Sequence, residues 1–159
     1  RRNFRKSLKT GVFVRESIEL LPDLWLVLTE NLERKYGVQP VHKLEEMILL
    51  ADRFPANIRC FCAILHDTVV AGVLIFSTPM VNHAQYIAAS NAGYEISALD
   101  AVFEYCIENS ELEGKRWFDF GISNENAGMI LNDSLYRFKS EFGGGGIVHE
   151  FLELDLLQQ

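Results

Sequence analysis

The sequence has little that would staple, anchor or tag it. Its cysteines number three, Cys60, Cys62 and Cys106, an odd set with two members one residue apart, and so a poor disulfide framework. Cys60 and Cys62 fall on one face of a strand in apolar company and read as small buried hydrophobes. Neither a CxxC pair nor a histidine at ligand spacing accompanies them, so no metal is expected. Reduced thiols point to the cytoplasm as the expected location. No apolar run approaches the roughly 18 residues of a membrane span, so none is expected. The opening RRNFRKSLK has no apolar stretch behind it and is not a secretory signal. Its start on Arg1 rather than Met suggests a piece of a longer chain. Walker, GxSxG, HExxH and dinucleotide-binding signatures are all missing. Positive charge is also scarce. The net charge is −7, yet Arg1, Arg2, Arg5, Lys6 and Lys9 give the first ten residues +5, so the remainder carries −12. So acidic a body excludes broad contact with nucleic acid, which needs a basic surface.

What is present suits one compact domain over 1–159, with residues 1–10 as a basic helical opening segment. The chain is 159 residues long, 48% hydrophobic and 23% charged, enough to bury a core without covalent staples. Val12 to Glu16 alternates as a short strand. Pro22 suits a helix start, Leu24, Leu28 and Leu32 repeat every fourth residue, and Gly37 closes the segment. A second helix is expected from about His42 to Arg53, with Leu44, Met47, Ile48 and Ala51 inward and Pro55 as its stop. The period then changes to two. Ile58 to Leu65 and Thr68 to Ser77 flank His66-Asp67 as a hairpin, and Asn82 to Ser90 supplies a third strand. Ser97, with Asp100 three residues on, predicts a capping box before the stripe Leu99, Val102, Phe103, Cys106, Ile107. Lys115 to Phe120 predicts a strand, about Ala127 to Glu141 a helix with Leu131, Leu135, Phe138 and Phe142 on its face, and Ile147 to Leu156 a last strand.

Central hairpin strands followed by β-α-β crossovers make an α/β fold, a mixed sheet with helices on both faces. Ligands in such sheets gather at strand ends and helix starts. The order resembles the GNAT (N-acetyltransferase) fold. Asp119-Phe120-Gly121 and Phe138-Lys139-Ser140-Glu141-Phe142-Gly143 resemble the D-x-G strand end and F-K-x-x-F-G stretch of its branch related to Fem peptidyltransferases. RRNFRKSLKTGVFV and GVLIFSTPMVNHAQYIAAS resemble the basic helix with its following strand, and the central strands, of the same group. Because that group often carries two such halves in tandem, the resemblance implies an N-terminal half upstream. Ordinary relatives hold the pyrophosphate of acetyl-CoA in a Q/R-x-x-G-x-G/A loop, whereas the corresponding stretch here, Ala88 to Tyr94, has one glycine and no basic residue.

Acyl transfer to an amine requires the amine to lose a proton and the developing oxyanion to be stabilised. The resemblance points to Lys139 as stabiliser of negative charge. Tyr136 in the same helix is a candidate general acid, and Phe138 a wall of the site or core. Tyr86, in the third central strand, lies beside the expected donor cleft, while Ser90 and Asn91 at that strand's end are candidates for binding the donor. Asp119 either orients an acceptor amine or caps the following loop. His83 and His149 stand in strand patterns without a partner at any defined spacing and read as surface or core histidines. Three functions stay open. The first is acyl or aminoacyl transfer to an amine of a cell-envelope or polysaccharide-type precursor, with a small-molecule or lipid-linked acceptor and acyl-CoA or aminoacyl-tRNA as donor. The second is a non-catalytic half that binds substrate or supports a partner domain. The third is a stand-alone acyl-CoA N-acetyltransferase.

Overall fold

In the computed structural model the described residues are 10–148, 150 and 152–154. The basic opening segment expected to form a helix, and His149, lie outside them. The chain divides into two compact units, Arg1–Gly121 and Ile122–Gln159.

The first unit holds β1 (Phe13–Glu16), a 3-10 turn (Ile18–Leu20), α1 (Leu21–Tyr36), α2 (Leu44–Arg53), β2 (Ile58–Leu65), β3 (Thr68–Ser77), β4 (Val81–Ala89), a short α3 (Asn91–Glu95), α4 (Ala98–Leu112) and β5 (Trp117–Asp119). The strands form one sheet in the order β1-β2-β3-β4-β5. The first three pairings are antiparallel and β4–β5 is parallel, so the mixed sheet read from the pattern is the sheet observed. His66 and Asp67 take φ of 48° and 60°, as a tight two-residue hairpin turn requires. Helix α1 carries a proline in its first turn and ends on Gly37 at φ 65°. Helix α2 opens with the Glu46 carboxylate accepting the Lys43 N–H at 2.7 Å.

Side chains alternate across the sheet and sort the core into two layers. On one face Cys60, Cys62, Leu74 and Ala88 pack with Leu21, Leu24, Trp25 and Leu28 of α1 and Met47 and Ala51 of α2. The other face meets α4, where Phe61 lies 6.0 Å from Tyr105, ring to ring, and Phe103 lies 5.0 Å from Phe120. All three cysteines are free and buried, as expected. The contact of Cys60 with Cys62 and the burial of Cys106 push both thiols above their usual range, which leaves them as inert apolar groups. Among the described residues no helix is long and apolar enough to cross a membrane.

Several local expectations are corrected. Ser97 does precede a helix, but its φ of 57° turns its hydroxyl from the helix start and no side-chain cap forms. Asn91 to Glu95 makes an additional turn of helix. In the second unit, Asn126, Ala127 and Gly128 take φ of 50°, 52° and 90°. That turn links β6 (Asn124–Glu125) to β7 (Ile130–Leu131), and α5 (Asp133–Ser140) begins only afterwards, capped by Asn132 accepting the Leu135 N–H at 3.0 Å. Leu131, expected on the helix face, therefore sits in β7. The described residues of the expected last strand, 147, 148, 150 and 152–154, are in no strand.

Candidate functional site

Strand β4 is shared by two neighbours that part company along it. Its pairing with β5 covers only Val81↔Trp117, Asn82↔Phe118 and His83↔Asp119. Its pairing with β3 continues to Ala89. Beyond His83, then, β4 runs on past its last rung with β5. Two features enforce the separation. The β3–β4 register passes from Leu74↔Tyr86 to Ile75↔Ala84, which leaves Gln85 as a bulge that bends and twists the strand. On the other strand, Gly121 takes φ 73°, with its N–H held by Asp119 Oδ1 at 2.8 Å, and turns the chain away after the D-x-G motif.

The bulge also chooses which side chains share a face. Asn82 and Ala84 point toward α4, and Asn82 is fixed there in a buried chain with Ser77 Oγ at 2.6 Å and Ser110 Oγ at 2.8 Å. His83 points to the opposite face. The extra residue at Gln85 brings Tyr86 onto that same face, where it packs edge-on against Trp25 at 4.9 Å. The Tyr86 hydroxyl is hydrogen-bonded to Nδ1 of His42, which stands on the connection between α1 and α2. Burial is the main cause that lifts the Tyr86 phenol above its usual value, with the nearby Glu46 charge adding to it and hydrogen bonds from Gln85 and His42 opposing. Tyr86 is therefore a protonated donor at neutral pH. His83 Nδ1 meets Asp119 Oδ2 at 2.8 Å, with the two side chains 34% and 52% exposed, so the pair is open to a ligand.

At the far end of β4 the chain turns sharply. The Ser90 hydroxyl donates to the Val70 carbonyl at 3.1 Å and accepts the Gly93 N–H at 3.1 Å. Val70 is itself the residue left over where β2 and β3 shift register. A Cβ on Gly93 would stand 2.2 Å from the Val70 carbonyl oxygen, so this glycine is required by the packing of the turn on β3. Asn91 begins α3 and is exposed. A cation reaches the turn from α1: Lys35 Nζ lies 2.7 Å from the Tyr94 hydroxyl, which also accepts from Asn31 at 3.3 Å.

The structure thus gathers Tyr86, Asp119, Ser90 and Asn91 of the sequence-derived set along β4 and its two ends. Lys139, Tyr136 and Phe138 belong to the second unit. Lys139 is buried there and its ammonium donates to the Ile122 carbonyl. Tyr136 is exposed, and Phe138 stacks edge-on with Phe142 at 5.4 Å. Sequence reasoning missed His83 as a partner of Asp119 and His42 as a partner of Tyr86. These pairs are 36 and 44 residues apart, and only the β4–β5 rung and the fold of α1–α2 onto the sheet join them. A hollow of about 370 Å³ lies at the other end of β4, lined by Glu16, Arg59, Ser77, Glu113 and Lys115. There Arg59 bridges Glu16 at 2.7 Å and Glu113 at 2.6 Å, a tie between β1, β2 and the end of α4. Among the described residues no group of three or more His, Cys, Asp or Glu is placed to hold a metal ion.

A mixed sheet in which β4 carries a bulge and parts from a parallel β5 is the fold this chain shares with solved GNAT-type domains. The chain belongs to the acetyltransferase (GNAT) domain family, which matches residues 1–140. Its members are acyltransferases that generally draw their acyl group from acyl-CoA, and this chain is an acyltransferase of that family. Among solved structures it is similar to a possible acetyltransferase from Clostridium difficile 630 (10% identity, 92% of this chain and 99% of the other, TM-score 0.66). It is similar too to an aminoglycoside acetyltransferase from an uncultured soil metagenomic sample, in complex with sisomicin (12%, 93% and 99%, TM-score 0.65). A ribosomal-protein-alanine N-acetyltransferase from Brucella melitensis biovar Abortus 2308 shares the fold as well (9%, 91% and 99%, TM-score 0.64). No curated protein matches the chain in sequence.

Proposed function

We propose that this chain transfers an acyl group from acyl-CoA to a primary amine, and that the reaction takes place on the α1/α2 face of β4 where β5 leaves it. The observation that carries the reading is the last of three rungs, at His83–Asp119, past which β4 continues to Ala89 without β5. Backbone groups along that stretch are positioned to hold the carbonyl of a donor lying beside the strand. Acyl-CoA supplies the activated thioester. Of this chain's residues, Asn91 at the start of α3 and the cation Lys35 would hold its phosphates. Ser90 and Gly93 are occupied in shaping the turn. Tyr86, with Trp25 and His42 beside it, forms the wall against which the acceptor sits.

The acceptor is an amine-bearing small molecule or lipid-linked precursor, of the cell-envelope or polysaccharide type that the FKxxFG stretch implies, and the chain is one half of a tandem protein from the Fem-related branch acting in the cytoplasm. Aminoglycoside modification is a second reading, supported by the fold shared with the sisomicin complex. The roles of Lys139 as charge stabiliser and Tyr136 as proton donor are a separate proposal. Thiol release from acetyl-CoA, followed with glucosamine, sisomicin and a lysine-containing peptide as acceptors, tests the reading. Release that depends on one of these amines supports it, and identifies the acceptor class. Silence with all of them, and with longer acyl-CoAs, would overturn it in favour of a non-catalytic half or an aminoacyl-tRNA donor.

A further inference from the structure

We propose that His83 is the general base that deprotonates the acceptor amine, and that Asp119 is the residue that positions it. The inference rests on the acyl-transfer reading above and adds to it the group that takes the proton.

Four observations converge. His83 and Asp119 form the last rung between β4 and β5, at the point where the strands part and a reacting centre has room. The bulge at Gln85 places His83 on the face that carries Tyr86, so the imidazole and the phenol look toward the same space. An ionised carboxylate only accepts hydrogen bonds, so the 2.8 Å contact fixes the His83 proton on Nδ1 and makes Nε2 the basic nitrogen. Asp119 is in turn held by the Gly121 N–H at 2.8 Å, which keeps the carboxylate from rotating. This is the arrangement by which a carboxylate orients a histidine ring. The imidazole is also accessible, being about a third exposed.

The alternative groups on this face suit the role less well. Tyr86 is held protonated by burial and can donate but not accept a proton at neutral pH. His42 has its Nδ1 on the Tyr86 hydroxyl and no carboxylate to fix its tautomer in the described contacts.

In the step, His83 Nε2 takes one proton from the acceptor ammonium. The freed nitrogen lone pair forms the C–N bond to the acyl carbon as the C–S bond breaks. The second N–H proton of the amine ends on the departing sulfur, and His83 gives its own proton to solvent. Ammonium and thioester thus become amide, thiol and one released proton.

The test compares His83→Gln, His83→Ala and Asp119→Asn with the wild type, using acetyl-CoA and the amine that gives the fastest thiol release. His83→Gln is expected to lower kcat by about 100-fold, within the range general-base groups contribute, while KM for the amine and the thermal midpoint stay near the wild-type values. Imidazole added to His83→Ala restores part of the rate. Asp119→Asn lowers kcat by at least about tenfold and abolishes the downfield Nδ1–H proton resonance, which is assigned as the signal also missing in His83→Gln. That signal is read on the protein without substrate, so it reports the pair independently of turnover. If His83→Gln keeps kcat within about threefold of wild type, or if His42→Gln shows the loss instead, the assignment of the base is wrong and the acyl-transfer reading stands. If the wild type releases no thiol with any amine, that reading falls, and this inference with it.

Discussion

Gly93 offers a sharp test because two accounts of it lead to opposite results. In ordinary relatives a glycine near this position lets backbone approach a phosphate. Here the bare Cα faces Val70, and an added Cβ would meet the Val70 carbonyl oxygen at 2.2 Å, the Val70 carbonyl carbon at 3.0 Å and the Ala89 Cβ at 3.4 Å. The first two are backbone atoms of a central strand and cannot swing aside. Relief requires the turn to lift by about 1 Å from β3, at the expense of the two hydrogen bonds that Ser90 makes to Val70. Overpacking of this kind costs about 1–3 kcal/mol. Alanine returns up to about 1 kcal/mol through its better helix propensity. The expected net loss for Gly93→Ala is about 1–2 kcal/mol, or a fall of about 2–8 °C in thermal midpoint for a domain of this size. Differential scanning fluorimetry on the protein without ligand measures it directly. A midpoint equal to or above wild type would refute the packing argument and return Gly93 to the role of a phosphate cradle.

Other outcomes follow from the same contacts. Leu24→Ala removes a side chain that is 1% exposed and touches the space above Gly72, so a loss of about 3 kcal/mol is expected in urea unfolding. Arg59→Met leaves Glu16 and Glu113 facing each other without their bridge. A loss of about 1–2 kcal/mol is expected, discounted because both carboxylates are partly exposed, and added salt should narrow the gap between variant and wild type. Tyr86 binds its proton more tightly in the folded state than in the unfolded one. Its contribution to stability is therefore fully present below the ordinary tyrosine value of about 10 and declines as pH rises above it. Midpoints recorded from pH 8 to 11 should fall more steeply for wild type than for Tyr86→Phe. Replacing Lys139 by Met, which deletes the donor to the Ile122 carbonyl, should speed amide exchange across Ile122 to Ser140 and leave exchange in β2 and β3 unchanged.

Much of the sheet was legible because its signals are local. TVVAGVLIFS reads as a strand buried on both faces, and β3 is one. His66-Asp67 between two apolar runs reads as a tight turn, and both residues carry positive φ. The α1 stripe of Leu24 and Leu28 is buried as its period requires. The errors occur where periodicity competes with backbone geometry. Leu131, Leu135 and Phe138 keep a helical spacing, yet Asn126, Ala127 and Gly128 turn the chain into a hairpin first. Ser97 and Asp100 have the spacing of a capping box, which positive φ at Ser97 prevents. The site was legible only in part. Tyr86 and the end of β4 could be found from the strand pattern and the missing glycine-rich loop. The bulge at Gln85, which decides that His83 and Tyr86 share a face, has no signature in the sequence of β4. The partnership of His83 with Asp119 exists only through a three-residue parallel pairing.

The central claim, that this domain accepts an acyl-CoA beside β4 despite the altered turn at Ser90 to Tyr94, is tested most directly by the thermal midpoint with and without acetyl-CoA. Stability should rise by about 2.7 kcal/mol at a hundredfold excess over the dissociation constant, and Lys35→Ala should reduce that rise. No shift with acetyl-CoA, longer acyl-CoAs or CoA itself would contradict the account.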